Sequence, residues 1–230
     1  SSVSINCYLL KSLTVPNGVT SFSLGSKDTL HYLSLPNSTT SISGLAENYP
    51  LKSITIPSSV TSIGNNAFQY CYNLESATIP SGTIGNSAFK SCYNLHDVSF
   101  SDSVTSIGQD SFASCYNIKN IILPNDLAEI STSLFFDCSN LKSAVIPASV
   151  TSIKNGAFRK CKALESLTFK STTPPTIQGG SSGQIAFGDL PTTCIIYVPY
   201  SEDHSVLDAY KAASGYPSPS IYTYMEEPAS

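Results

Sequence analysis

The segment Ile56 to Leu74, IPSSVTSIGNNAFQYCYNL, returns ninety residues later as IPASVTSIKNGAFRKCKAL, Ile146 to Leu164. A catalytic motif places a few groups at one point and is written once. A pattern written again and again describes a unit that stacks.

Alignment of the copies gives the unit. Its Phe falls at Phe68, Phe89, Phe112, Phe135 and Phe158, in steps of 21, 23, 23 and 23 residues, and three positions later stand Cys71, Cys92, Cys115, Cys138 and Cys161. Leu74, Leu95, Ile118, Leu141 and Leu164 follow at the next third position, and a short apolar alternation usually ending in Pro comes after them. The same frame reads backward through LTVP (13–16), LSLP (33–36) and ITIP (54–57), with Cys7, Lys27 and Asn48 in the Cys slot. Forward, a ninth strand is predicted at IIYVP (195–199), displaced by the Pro-, Gly- and Ser-rich insertion 171–184.

One unit cannot stand alone. In Leu74–Ile79, residues 77 and 79 share one face of an extended strand, Ser76 and Thr78 take the other, and Pro80 ends the pairing. Val60, Ile63 and Phe68 complete the inward contacts of a coil. So few buried side chains cannot offset the ordering of some twenty residues at about 1–2 kcal/mol each. Stacking covers both open sides of each coil, so the repeat reads as a solenoid unit.

Composition excludes several functions. Charged residues make up 12% of the 230, the net charge is −4, and the twelve Lys and Arg are scattered along the chain, which leaves no basic stripe for nucleic acid. Apolar runs such as CIIYV (194–198) fall far short of the roughly 20 residues of a membrane-spanning helix. The opening SSVSIN has neither initiator Met nor apolar leader, as expected of a chain whose export signal has been removed.

The L-x-x-L-x-L core with its Cys or Asn ladder resembles the leucine-rich repeat, and IPxSVTSIGxxAFxxCxxL resembles the BspA-like branch of bacterial surface antigens, over residues 7–170. IYVP (196–199) followed by AYKAASGY (209–216) is similar to the C-terminal cap that ends such arrays in gut anaerobes. The resemblance implies a leucine-rich repeat solenoid, a curved right-handed superhelix with a parallel sheet of about 8 repeats of 20–23 residues, joined by short helical or 3-10 turns. It divides the chain into an array, 1–170, and an insertion plus cap, 171–230, within one structural domain. It also implies export to the bacterial cell surface or beyond and adhesion to host or microbial proteins, with no enzyme activity and no cofactor.

Each ladder has a structural and a functional reading. The Cys column could hold disulfides or metal, but the slot faces inward and Asn48 fills it elsewhere, which favours buried, reduced thiols; seven Cys in any case leave one unpaired within the chain. Asn73, Asn94, Asn117 and Asn140 are expected to satisfy turn backbone groups, and Gly64, Gly85 and Gly108 to supply unusual turn dihedrals. Tyr72, Tyr93 and Tyr116 should stack along one edge, either as an aromatic platform for sugars or proteins or as cross-coil stabilisation.

The exposed strand face is mostly Ser and Thr. Asp97, Ser99, Asn120, Ile122, Ser143 and Val145 lie where three consecutive coils depart from that background, and they form the candidate binding surface; drift on an unselected face is the alternative. No site chemistry competes with binding. His31 and His96 fall in one column three coils apart, about 14 Å, too far to share a metal. The polar cluster SEDHS (201–205) is expected to face solvent rather than hold a metal. The expected function is therefore a non-catalytic, monomeric binding protein whose partners are host or microbial surface proteins. Alternatives are a glycan-binding accessory module, for which the Tyr edge is the cue, and a structural spacer of a longer surface protein.

Overall fold

The computed structural model describes residues 2–5, 10–24, 30–178, 186–220 and 222–228. In chain order the strands are β1 (Ser2–Ile5), β2 (Ser12–Thr14), β3 (Ser21–Leu24), β4 (Tyr32–Ser34), β5 (Ser41–Ile42), β6 (Ser53–Thr55), β7 (Ser62–Ile63), β8 (Ser76–Ile79) and β9 (Gly82–Ile84). There follow β10 (Asp97–Phe100), β11 (Val104–Ile107), β12 (Asn120–Ile122), β13 (Glu129–Ile130), β14 (Ser143–Ile146), β15 (Ser152–Ile153), β16 (Ser166–Phe169), β17 (Thr176–Ile177) and β18 (Ile195–Val198). Helix α1 (Ser205–Ala212) and β19 (Thr223–Glu226) close the chain.

Every pairing between these strands is parallel, as stacking of like coils requires. Each coil contributes two strands, one more than the repeat pattern suggests. The first belongs to the L-x-x-A-x-I run, such as β8 and β14, and the second to V-T-S-I, such as β7 and β15. The second has no strand signature in the sequence, because Val60 and Ile63 are three residues apart and so break the two-residue alternation of a strand.

The segment assigned to short helical or 3-10 turns is neither; it is a third ladder built from turns. Asn66, Phe68 and Tyr70 donate their N–H groups to the carbonyls of Asn86, Ala88 and Lys90 on the next coil, at 2.9, 2.7 and 2.9 Å. Between them Ala67, Gln69 and Cys71 donate three residues back within their own coil. A helix would spend all of these groups internally. Left-handed residues four apart, Asn66 and Tyr70, then Ser87 and Ser91, Asp110 and Ser114, Ser133 and Asp137, redirect alternate N–H groups outward.

The expected dihedral role of three glycines is corrected by the same segment. Gly64, Gly85 and Gly108 are not among the positive-φ residues. Gly85 is needed for close approach, since a Cβ there would lie 2.5 Å from the Asn65 nitrogen, and one at Gly108 would lie 2.5 Å from Asn86 Oδ1. Asn65 Oδ1 accepts the N–H of Asn86 at 2.8 Å, and Asn86 Oδ1 that of Gln109 at 3.0 Å, so the coils are tied at that point.

Inside, the repeat Phe residues form one continuous stack. Ring centroids lie 4.9, 5.2, 5.7, 5.6 and 6.0 Å apart from Phe68 through Phe89, Phe112, Phe135 and Phe158 to Phe187, all within 19° of parallel. The C-terminal end is covered by aromatics: Tyr210 of α1 and Tyr216 pack on Phe169 at 5.1 and 5.6 Å, and their hydroxyls donate to the carbonyls of Ser171 and Pro175. Cys7, Tyr8, Lys27 and residues 179–184 of the expected insertion lie outside the described residues.

Candidate functional site

The outward face of the first strand set carries the residues singled out in the sequence. Asp97 and Ser99 lie exposed on β10, and Ser99 Oγ donates to Thr78 Oγ1 at 3.2 Å. Asn120 and Ile122 are on β12, Ser143 and Val145 on β14; Ser143 Oγ donates to Asn120 Oδ1 at 2.7 Å. All six share one face, yet not one sheet. Asp97 and Ser99 belong to a two-stranded unit, β8–β10, whereas the other four open a five-stranded sheet of order β12-β14-β16-β18-β19.

The register of that sheet adds residues to the site. Ile122 pairs with Val145, Val145 with Thr168, Thr168 with Tyr197, and Tyr197 with Met225. Side chains two apart point the same way, so these five form a single outward row, in contrast to the Thr14, Ser34, Thr55, Thr78 and Ser99 of earlier coils. Ile122 is 69% exposed and Met225 44%; Val145, Thr168 and Tyr197 are half-buried. Tyr197 could have been read from the alternation of IIYVP. Met225 could not, because β19 carries no repeat signature.

The tyrosine edge is a closed stack. Tyr49, Tyr72, Tyr93 and Tyr116 follow one another with centroids 4.8, 4.7 and 5.0 Å apart and planes within 16°. Both faces of Tyr72 and Tyr93 therefore lie against other rings, and their edges and hydroxyls meet solvent. Burial, and after it the neighbouring Tyr93, Tyr49 and Tyr70, holds the Tyr72 phenol above its ordinary pKa. The Asn column beside it does not work as expected. The backbone N–H of Asn94, not its side chain, reaches the Tyr72 carbonyl at 3.0 Å, while Asn117 Nδ2 donates to Asn94 Oδ1 at 3.2 Å.

The cysteine column is inert. Cys71, Cys92, Cys115, Cys138, Cys161 and Cys194 are free and buried. Each of the five slot thiols donates to a carbonyl one coil earlier, that of Leu45 for Cys71 and of the repeat Phe for the rest, at 3.1–3.2 Å. Desolvation pushes Cys71, Cys115 and Cys161 up to about 12, and Cys92 and Cys138 well above the usual value. In the cap, His204 is 63% exposed and its Nδ1 lies 2.8 Å from Glu226 Oε2, whose carboxylate also accepts from Ser201. Among the described residues no group of three or more His, Cys, Asp or Glu could hold a metal ion, and no helix is long and apolar enough to cross a membrane.

The family pattern described as the BspA-type leucine-rich repeat region, six copies, matches residues 5–83 and 82–180. Among solved structures, a leucine-rich cell surface protein of Faecalibacterium prausnitzii is 29% identical with a TM-score of 0.50, over 87% of this chain and 62% of that one. A Treponema pallidum leucine-rich repeat protein is 24% identical with a TM-score of 0.55, over 93% and 91%. One from Eubacterium ventriosum is 21% identical with a TM-score of 0.60, over 78% and 59%. The chain thus spans less than two thirds of the Faecalibacterium and Eubacterium proteins, and the latter two likenesses are ones of fold alone. No curated protein matches the sequence. With the family pattern laid over residues 5–180 and the ladders above built from those same positions, the chain belongs to the BspA-type leucine-rich repeat family.

Proposed function

We propose that this chain is a non-catalytic binding module, held at or released from a bacterial cell surface, that engages protein partners of host or microbial origin through its strand face. The observation that carries the reading is the apolar row Ile122, Val145, Tyr197 and Met225, aligned by strand register on the open face of the five-stranded sheet. Aromatic, Met and aliphatic side chains that lose water on contact are the usual anchors of a protein interface. Family membership and the likeness to a cell surface protein of Faecalibacterium prausnitzii support the location.

The stacked tyrosines favour a protein over a sugar. A sugar ring binds by lying on an aromatic face, and Tyr72 and Tyr93 have theirs against each other and against Tyr49 and Tyr116. The test is binding of the purified chain to an array of extracellular-matrix proteins, bacterial surface proteins and glycans. A variant with Val145→Lys, Tyr197→Ser and Met225→Ser is run beside one with Tyr72, Tyr93 and Tyr116 changed to Ser. Protein binding lost in the first and kept in the second is the expected result; glycan binding lost in the second would replace this reading.

A further inference from the structure

Both sheets stop at the same junction. On one side β8–β10 ends where the sheet beginning at β12 starts, and on the other the six-stranded sheet β1-β3-β5-β7-β9-β11 ends where β13-β15-β17 begins. The turn ladder continues across, with Asp110, Phe112 and Ser114 donating to the carbonyls of Thr132, Leu134 and Phe136 at 3.0, 3.0 and 2.8 Å. The Phe112–Phe135 stack and the Cys138 thiol bond to the Phe112 carbonyl also cross it. The two coils are joined by the turn ladder on one side; on the other two their strands form no ladder, and a side-chain bond spans each, from Ser131 Oγ to the Ile107 carbonyl and from the Asn125 N–H to Asp102 Oδ1. Phe100 stands here in the slot filled by Ile79, Leu123 and Ile146, and Ser101 replaces the Pro that follows all three. The larger ring leans edge-on against Phe112, 5.8 Å away, and stays half-exposed where Ile79 and Ile146 are fully buried.

The parting leaves a cleft of 340 Å³ on the strand side, with Val98, Phe100, Ile122 and Leu123 as its apolar lining and Asp102 and Asn120 among its polar groups. That is the low end of the roughly 300–1,000 Å³ of small-ligand sites, room for a side chain and its backbone. Its margin is acidic. Asp102 lines it, Asp97 and Asp126 lie exposed within two residues of its lining, and Lys119 precedes Asn120 of that lining. Asp102 Oδ1 also accepts the Asn125 N–H across the gap at 3.3 Å.

Resting on the protein-binding reading above, we infer that this inter-coil cleft is a peptide site, which takes one large apolar side chain of an extended partner segment flanked by Lys or Arg. The apolar residue covers Ile122 and fills the space between Phe100 and Leu123, and the flanking cations meet Asp97, Asp102 and Asp126.

The probe is a fluorescent nonapeptide with a central Leu, Lys two residues to each side and a Ser/Gly background, titrated by polarisation against the whole chain. Binding should weaken about tenfold when the central Leu becomes Ala or the Lys pair becomes Glu, and by a similar factor in Ile122→Ser and in Asp97→Asn/Asp102→Asn. Ile122 and Asp97 are exposed, so these variants should fold. Amide exchange slowed at residues 99–101 and 120–125 on peptide addition places the site. Binding indifferent to the central residue or to these variants overturns the inference. So does a dimer of the chain that dissociates in Ile122→Ser, which would make a second copy the occupant. Array proteins that bind while the peptide does not would sink the cleft and leave the broader reading standing; peptide binding with a silent array would do the reverse.

Discussion

The thiol of Cys115 donates to the carbonyl oxygen of Phe89, 3.1 Å away and one coil earlier, and that same oxygen accepts the N–H of Cys92 at 3.1 Å. The Cys slot is thus a donor position as well as an apolar one, which explains how Asn48 can occupy it. Cys115→Ala removes the donor and leaves a small void among residues that cannot collapse onto it. A loss of about 1–3 kcal/mol is expected from urea unfolding.

The slot thiols should be chemically silent in the folded chain and titrate late. Their ordinary value of 9.0 rises to about 12 for Cys71, Cys115 and Cys161 because burial disfavours the thiolate. The folded state therefore holds the proton that the unfolded chain releases. The stability this confers is fully present below pH 9 and is lost as pH rises toward 12. In a Cys7→Ser variant a coloured disulfide reagent at pH 8 should report none of Cys71, Cys92, Cys115, Cys138 and Cys161 until denaturant is added, and the unfolding midpoint should fall steeply in that alkaline window. Rapid labelling of any of these five in the native chain would contradict their burial.

Among the described residues, Gly82 has the tightest surroundings of the array's glycines. Its coil is two residues short, so the backbone turns at φ +81, and a Cβ would lie 1.9 Å from the Thr61 carbonyl oxygen. Gly82→Ala should cost more than about 3 kcal/mol. Gly18→Ala, also at positive φ but with nothing within 4 Å, should cost about 1–2 kcal/mol from the backbone alone. Melting temperatures of the pair separate the steric from the conformational share.

Tyr72→Ala removes the middle of the aromatic edge and with it two stacked pairs, at 4.8 and 4.7 Å. At about 0.5–1.5 kcal/mol per pair the chain should lose about 1–3 kcal/mol. Tyr49→Ala, at the end of the row, should lose about half as much, and calorimetry distinguishes them.

The array was legible in the sequence because stacking demands that each inward position repeat its residue: Phe68, Cys71 and Leu74 return at fixed steps and are buried as a group. The turn ladder was hidden because its bonds are made by backbone groups of unlike residues, Asn66, Ser87, Asp110 and Ser133, which share a dihedral and no chemistry. Of the candidate site, Ile122 and Val145 stood out against their Ser and Thr neighbours. Met225 and the cleft beside Phe100 did not, since both depend on which strands pair, and the broken pairing between β10 and β12 has no counterpart in residue spacing.

Finally, the bonds of the turn ladder are all of one sense. From Leu45, which donates to the Ala67 carbonyl, to Lys160, which donates to that of Gly188, the inter-coil N–H groups of the ladder among the described residues point to the following coil. In a strand ladder neighbouring groups alternate in direction and their dipoles largely cancel, but here they add. The solenoid thus carries an electrical axis of its own, negative toward the earlier coils and positive toward the later ones, the reverse of an α-helix read in chain order. Asp189, in the last turn of the ladder, sets a carboxylate at the positive end, where it also pairs with Arg159 Nε at 3.6 Å.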